Sequence, residues 1–182
     1  MKKSIILFAL VGLTTLTFAQ KKKTTTSATI NFDATTKLDA LPKAENKTVI
    51  ASLNTKSGDV AFESVIKSFT FGNPKMQEHF NGAGWMDSDK FPKATFKGKI
   101  TNLSAINFKT DGTYNATITG NLTLHGLTKP VNTTASIVVS GKNVTTTSNF
   151  TIALADYAVN GPAIGAGKVA TDPKITVVAE FK

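Results

Sequence analysis

The stretch KATFKGKITN, residues 93–102, decides the fold class. Ala94, Phe96, Gly98 and Ile100 fall on one face of an extended chain, and Thr95, Lys97, Lys99 and Thr101 fall on the other. Successive side chains of a strand point to opposite faces, so this two-residue period reads as a β-strand with one dry and one wet side. The pattern recurs. Tyr114, Ala116, Ile118, Gly120, Leu122 and Leu124 alternate with Asn115, Thr117, Thr119, Asn121 and Thr123. Val144, Thr146, Ser148, Phe150, Ile152 and Leu154 share a face, as do Ile175, Val177, Ala179 and Phe181.

Asp111-Gly112 and Ser140-Gly141 stand between such runs as hairpin turns. Threonine fills the wet faces, where a β-branched polar side chain suits a solvated strand. Strands this long in a chain of 182 residues need their edges hidden, and closure into a barrel does that in one domain. Two places break the alternation. Val60, Phe62 and Ile66 share a face, but Phe69 and Phe71 lie on the other, as a bulge near Ser68 or a strand leaving the sheet would produce. After Asn73 as N-cap and Pro74 in the first turn, Met76 and Phe80 are four apart, which predicts a short helix ending at Asn81-Gly82 against one end of the barrel.

The first nineteen residues read as a signal peptide: Lys2 and Lys3, an apolar run from Ile5 to Leu13, then small Thr17 and Ala19 before a cut at Gln20. The run is too short to span a bilayer. An exported protein, periplasmic or secreted, is expected, with a flexible polar leader over residues 20–27 and one water-soluble domain over 28–182. Losing Lys2 and Lys3 takes the formal charge from +9 to +7. All 21 basic residues are lysine, and apart from Lys21–Lys23 they are scattered. Nucleic-acid binding leans on arginine forks and on aromatics set among basic residues, so the charge reads as solvated surface. Cysteine is absent, which removes thiol chemistry, Cys-ligated zinc and disulfides.

His79 and His125 are the only histidines and form no H-x-x-x-H or H-x-E spacing. His125 reads as a structural hydrogen-bonding residue at a strand end, and His79 as structural too, with capping a pocket mouth as its alternative. Asp87 and Asp89 read as solvated turn residues rather than cation ligands. No nucleophile elbow, phosphate loop or dinucleotide fingerprint is present. Neither catalytic nor metal residues, nor a cofactor, are expected.

Two blocks resemble the YceI-like family of exported lipid- and polyisoprenoid-binding proteins. The first, residues 66–100, carries Ser68-Phe69-Thr70-Phe71, then Met76 with His79-Phe80, then Lys90-Phe91-Pro92 leading to Phe96. The second is GNLTLHGLTKPV, residues 120–131. The chain departs from the pattern in the glycine-rich step FNGAGWMDSD with Trp85, and at Ala158, where the family usually has glycine. The resemblance implies a lipocalin-like antiparallel β-barrel of about eight strands with a short helix at one end. It also implies a binding protein, not an enzyme, that holds a long isoprenoid, a quinone or a similar lipid.

From the residues themselves, the dry faces offer phenylalanines that could wall an apolar pocket, and Gly98, Gly120 and Ala116 that leave volume unfilled. The candidate pocket residues are Phe62, Ile66, Phe69, Phe71, Met76, Phe80, Trp85, Met86, Phe96, Ile100, Ile118, Leu122, Leu124 and Phe150. The expected partner is an isoprenoid or other long-chain lipid. Nucleic acid and stable membrane insertion are not expected, and nothing excludes a homodimer. The competing reading is a secreted β-sandwich or solid barrel with a structural or adhesive role and no ligand.

Overall fold

The computed structural model describes residues 22–182. The signal-peptide reading of residues 1–19, and Gln20 and Lys21 of the leader, lie outside them. Nine strands follow in order: β1 (Lys22–Asp33), β2 (Lys43–Asn54), β3 (Asp59–Val65), β4 (Thr70–Phe71), β5 (Lys93–Ile100), β6 (Gly112–Leu124), β7 (Leu127–Ser140), β8 (Asn143–Thr151) and β9 (Lys174–Phe181). Helix α1 (Pro74–Asn81) lies between β4 and β5, and the single turn α2 (Pro162–Gly165) between β8 and β9. All pairings are antiparallel. The order β1-β9-β8-β7-β6-β5-β3-β2, with β2 paired back to β1, closes an eight-stranded barrel, and β4 adds two residues to the edge of β2.

The alternation read from the sequence sets the walls. Ala94, Phe96, Gly98 and Ile100 of β5 turn inward, opposite Leu122, Gly120 and Ile118 of β6. Outward positions carry Lys97, Lys99, Asn115 and Thr117, all exposed, which is the reverse of a lipid-facing outer band. Among the described residues no helix is long and apolar enough to cross a membrane.

The broken alternation resolves as a strand leaving the sheet. β3 ends at Val65, a 3-10 turn covers Ile66–Ser68, and Thr70–Phe71 pair with Glu45 and Ala44 of β2. The following helix is capped as its sequence demands. Asn73 Oδ1 accepts the Lys75 N–H at 2.9 Å, Pro74 occupies the first turn, and the Gly82 N–H closes on the carbonyls of Glu78 and His79.

Two expectations need correction. Lys22–Ser27 are not a flexible leader but the start of β1, with Lys22 opposite Asn54 and Thr25 opposite Ala51. The segment lacks an apolar period because its side chains are mostly exposed; a run of threonines and a partner backbone suffice for a ladder. Asp111-Gly112 is not a two-residue hairpin turn either. It ends a longer connection containing a 3-10 turn at Leu103–Ala105, and Asp111 Oδ1 instead accepts the Gly141 N–H at 2.8 Å. The β7–β8 hairpin does turn where expected, with Gly141 at φ 59.

The interior holds two packed plugs. At the far end Leu53, Ile100, Ile137, Val139 and Phe181 are each at most 2% exposed. At the helical end the ring of Phe80 meets Phe71 at 4.9 Å, Phe69 at 5.8 Å and Phe32 at 6.1 Å between centroids, tilted as aromatic pairs prefer. The lumen lies between the plugs.

Candidate functional site

A narrow cavity runs inside the barrel. Its empty space, opening included, is about 1320 Å³, of which the centre of a water molecule can visit about 150 Å³. On β6 the lining runs from Ile118 to Leu124, about 20 Å along the strand at its ordinary rise. Length with little width suits a chain rather than a compact ligand.

Twelve of the fourteen candidate residues line this cavity: Phe62, Ile66, Phe69, Phe80, Trp85, Met86, Phe96, Ile100, Ile118, Leu122, Leu124 and Phe150. Phe71 and Met76 do not. Phe71 stacks behind Phe80, and Met76 packs on the same cluster from α1 without reaching the lumen. Sequence reasoning missed Ile30, Phe32, Leu53 and Val131, which lie on strands it had not read as walls. It had placed Ile175, Val177 and Phe181 on a dry face, but that pattern does not separate a lumen from a plug.

Gly98 and Gly120 stand opposite each other, and the Phe96 ring lies over both: a Cβ on Gly98 would approach Phe96 Cζ to 2.6 Å. The glycines therefore make room for a ring laid along the wall, rather than for a bulge.

The polar groups of the lumen are hydroxyls. Ser148 Oγ donates to the Thr134 carbonyl at 2.8 Å and lies 3.1 Å from Thr133 Oγ1. Ser64 Oγ accepts from Asn46 Nδ2 at 3.0 Å, and Asn46, fully buried, also donates to the Val65 carbonyl and accepts from Thr48. No Asp, Glu, Lys or His is among the lining residues. The lining thus offers apolar surface and a few hydroxyls, and no charged side chain.

Several titratable groups elsewhere have structural partners. His125, at φ 49 in the β6–β7 turn, places Nδ1 2.9 Å from the Tyr157 carbonyl and meets the Phe91 ring edge-on at 4.6 Å. His79 is exposed on α1. Asp89 pairs with Lys67 at 2.5 Å, and no cluster able to hold a metal occurs among the described residues. Burial, with Asp156 adding to it, pushes the Tyr157 phenol above its ordinary range. For Asp33 burial, the largest single influence, raises the carboxyl, but hydrogen bonds from the Thr35 hydroxyl and amide together with Lys43 outweigh it, and the carboxyl lies below the usual range.

Among lining residues outside the strands and their buried flanks, Trp85 is the half-exposed one. Its ring is seated on Gly161, where a Cβ would stand 3.3 Å away. Trp85 thus lines the cavity from the helical-end cluster while remaining half-exposed.

Comparison with known proteins agrees with this geometry. The sequence profile of the YceI-like domain matches residues 13–181. UPF0312 proteins of Pseudomonas putida strains W619 and GB-1 are 29% identical over 136 residues, 69% of this chain and 64% of theirs. The chain thus spans under two thirds of the length of these relatives. Among solved structures, a polyisoprenoid binding domain from Saccharophagus degradans implicated in plant cell wall breakdown superposes with a TM-score of 0.74 at 13% identity, covering 89% of this chain and 98% of that one. Burkholderia cenocepacia BcnA gives 0.70 at 17%, covering 85% and 96%. At these identities the likeness establishes a shared fold.

Proposed function

The chain belongs to the YceI-like family, and from that premise we propose that it is an exported carrier which holds one long apolar lipid, an isoprenoid or quinone-like chain, inside its barrel. The observation that carries this is the lumen itself: about 20 Å of apolar wall without a charged side chain, left unfilled between two close-packed plugs. Protein interiors normally pack to the density of organic crystals, so unfilled apolar space of this shape loses dispersion energy unless a ligand supplies it. The polyisoprenoid-binding character named for the Saccharophagus degradans domain supports the same cargo class. Binding without catalysis fits the hydroxyl-only polarity of the wall, and export fits the basic, apolar and small-residue order of residues 1–19.

The test is mass spectrometry of an organic extract of the protein purified from its native host. A prenyl-chain lipid near one per protein is expected. Repeated absence of extractable lipid, with no uptake by the delipidated protein, would replace this reading with a solid barrel of structural role.

A further inference from the structure

The barrel closes in strand order, but not along the full length of each seam. β7 pairs with β6 throughout, from Gly112 opposite Val139 to Leu124 opposite Leu127. With β8 it pairs only from Ser140 opposite Asn143 to Ala135 opposite Ser148. Leu127–Thr134 and Asn149–Thr151 have no ladder partner across this seam, although β8 there keeps its ladder to β9. The gap is a wedge with its apex at Ala135 and Ser148. Its wide end is overlain by the 3-10 turn Leu154–Tyr157, which packs on β7.

Three other seams part, and all are sealed. β6 runs on past the end of β5 from Thr117 to Gly112, where Asn102 bonds to the Asn115 carbonyl and the Thr117 N–H, the 3-10 turn Leu103–Ala105 packs on the strand, and Ala116 is 1% exposed. Between β2 and β3 pairing stops at Ile50 opposite Glu63; the gap is filled by fully buried Asn46, bonded to Ser64 and Val65, and β4 occupies the edge. β1 and β9 part beyond Thr29 opposite Val178, where Ala28, Ala179 and Phe181 are 0%, 0% and 1% exposed. At the β7–β8 seam, by contrast, inward-facing Val131, Thr133, Ser148 and Phe150 are all half-exposed, and all four line the cavity.

The sequence marks the same edge. Pro130 lies within β7, and a residue without an N–H is tolerated where no neighbouring strand needs one. The Thr134 carbonyl faces the seam, since it accepts the Ser148 hydroxyl. Peptide groups alternate sides along a strand, so the Asn132 N–H and the carbonyls of Asn132 and Pro130 also face it. Pro130, Asn132 and Thr134 are exposed, so beyond the Thr134 carbonyl these edge groups have no ladder partner across the seam and are open to water or a ligand.

We propose that the β7–β8 seam is a lateral portal to the lumen, and that the uncharged polar head of the bound lipid, a hydroxyl or carbonyl, rests there against Thr133, Ser148 and the free edge of β7. The proposal rests on the cargo reading above. A phosphate or carboxylate at this depth would be desolvated with no counter-charge among the lining residues, whereas a neutral head can exchange hydrogen bonds with hydroxyls and a peptide edge. Entry along the axis would have to part the Phe32, Phe69, Phe71 and Phe80 cluster or unseat Trp85 from Gly161. The seam needs neither.

The absence of cysteine makes the test direct, because single cysteines report alone. Val131→Cys places a thiol in the seam, Ile137→Cys in the far plug, and Gly84→Cys in open space beside Trp85. In delipidated protein a bulky water-soluble maleimide should modify V131C at least about tenfold faster than I137C. The blocked V131C protein should then take up geranylgeraniol much more slowly than its unmodified form, while blocked G84C loads at the ordinary rate. Thr133→Val with Ser148→Ala should weaken binding of geranylgeraniol by about fivefold and leave binding of the parent hydrocarbon unchanged. Equal thiol rates for V131C and I137C, or slow loading of blocked G84C with normal loading of blocked V131C, would overturn the portal. An equal loss for alcohol and hydrocarbon would overturn the head site. If no variant nor the native chain takes up geranylgeraniol, the cargo reading fails, and the thiol rates still decide whether the seam is open.

Discussion

The ring of Phe96 occupies the space that a side chain on Gly120 would fill: a Cβ built there stands 2.5 Å from Phe96 Cζ. The same Cβ would meet the Gly98 Cα and the Lys97 carbonyl oxygen, each at 2.6 Å. The first obstacle is a side chain that can rotate. The other two are backbone of β5 and can yield only by separating the strands.

Gly120→Ala is therefore expected to destabilise the barrel by about 1–3 kcal/mol, as overpacking does. Adding Phe96→Ala should recover only part of that loss, because the backbone approach remains. Urea unfolding of the two variants checks this; complete recovery in the double variant would place the whole conflict in the ring.

Bulk added at two inward positions should separate plug from lumen. Ile100 is 2% exposed and belongs to the far plug, so Ile100→Trp should cost about 1–3 kcal/mol. Leu122 is half-exposed and faces the cavity, so Leu122→Trp should leave unfolding of the lipid-free protein nearly unchanged yet block lipid uptake. The pair of measurements is unfolding midpoint and uptake of a prenyl alcohol by each variant. Equal destabilisation at both sites would mean the lumen is filled.

These outcomes also mark how far the sequence alone reaches. Alternation over residues 94–100 and 114–124 identified walls and inward faces, because a period of two is a local property of an extended chain. It could not distinguish Ile100, a lining residue packed to 2% exposure in the far plug, from half-exposed Leu122, since that difference arises only when eight strands meet. β1 escaped notice over Lys22–Ser27 because it has no dry face there to read. The seam between β7 and β8 was invisible for the same reason: it is set by where two ladders end, and only Pro130 hints at it.

Ala158 sits at φ 55, ψ 26, ending the 3-10 turn Leu154–Tyr157 in the left-handed region. A Cβ is strained there and glycine is not, while glycine adds freedom to the unfolded chain. Ala158→Gly should stabilise the protein by about 0.5–1 kcal/mol, raising the urea midpoint at constant m-value. A lowered midpoint would show that the Ala158 methyl supports packing that outweighs its backbone strain.

Asp33 links acid sensitivity to the end of β1. Burial, the largest single influence, raises its carboxyl, but Thr35 and Lys43 together favour the charged form more, so it titrates below the ordinary range in the folded state. Such a group adds stability above its unfolded pKa and loses it as pH falls through the folded value. With the carboxylate partly exposed, the effect is small, well under about 1 kcal/mol. Asp33→Asn should be slightly less stable than the native chain at neutral pH, with the difference vanishing under acid conditions below the carboxylate range. A difference that persists unchanged in acid would assign it to geometry rather than charge.

The central claim is that the lumen is a binding site for one prenyl chain. Titration of the delipidated protein with geranylgeraniol, read by the fluorescence of Trp85, the single tryptophan and a lining residue, tests it most directly. The account predicts a saturable change that ends at one molecule per chain in the native protein and is lost in Leu122→Phe,Val177→Phe, two half-exposed lining positions narrowed together. A titration with no saturation, or saturation that the two substitutions leave untouched, would contradict it.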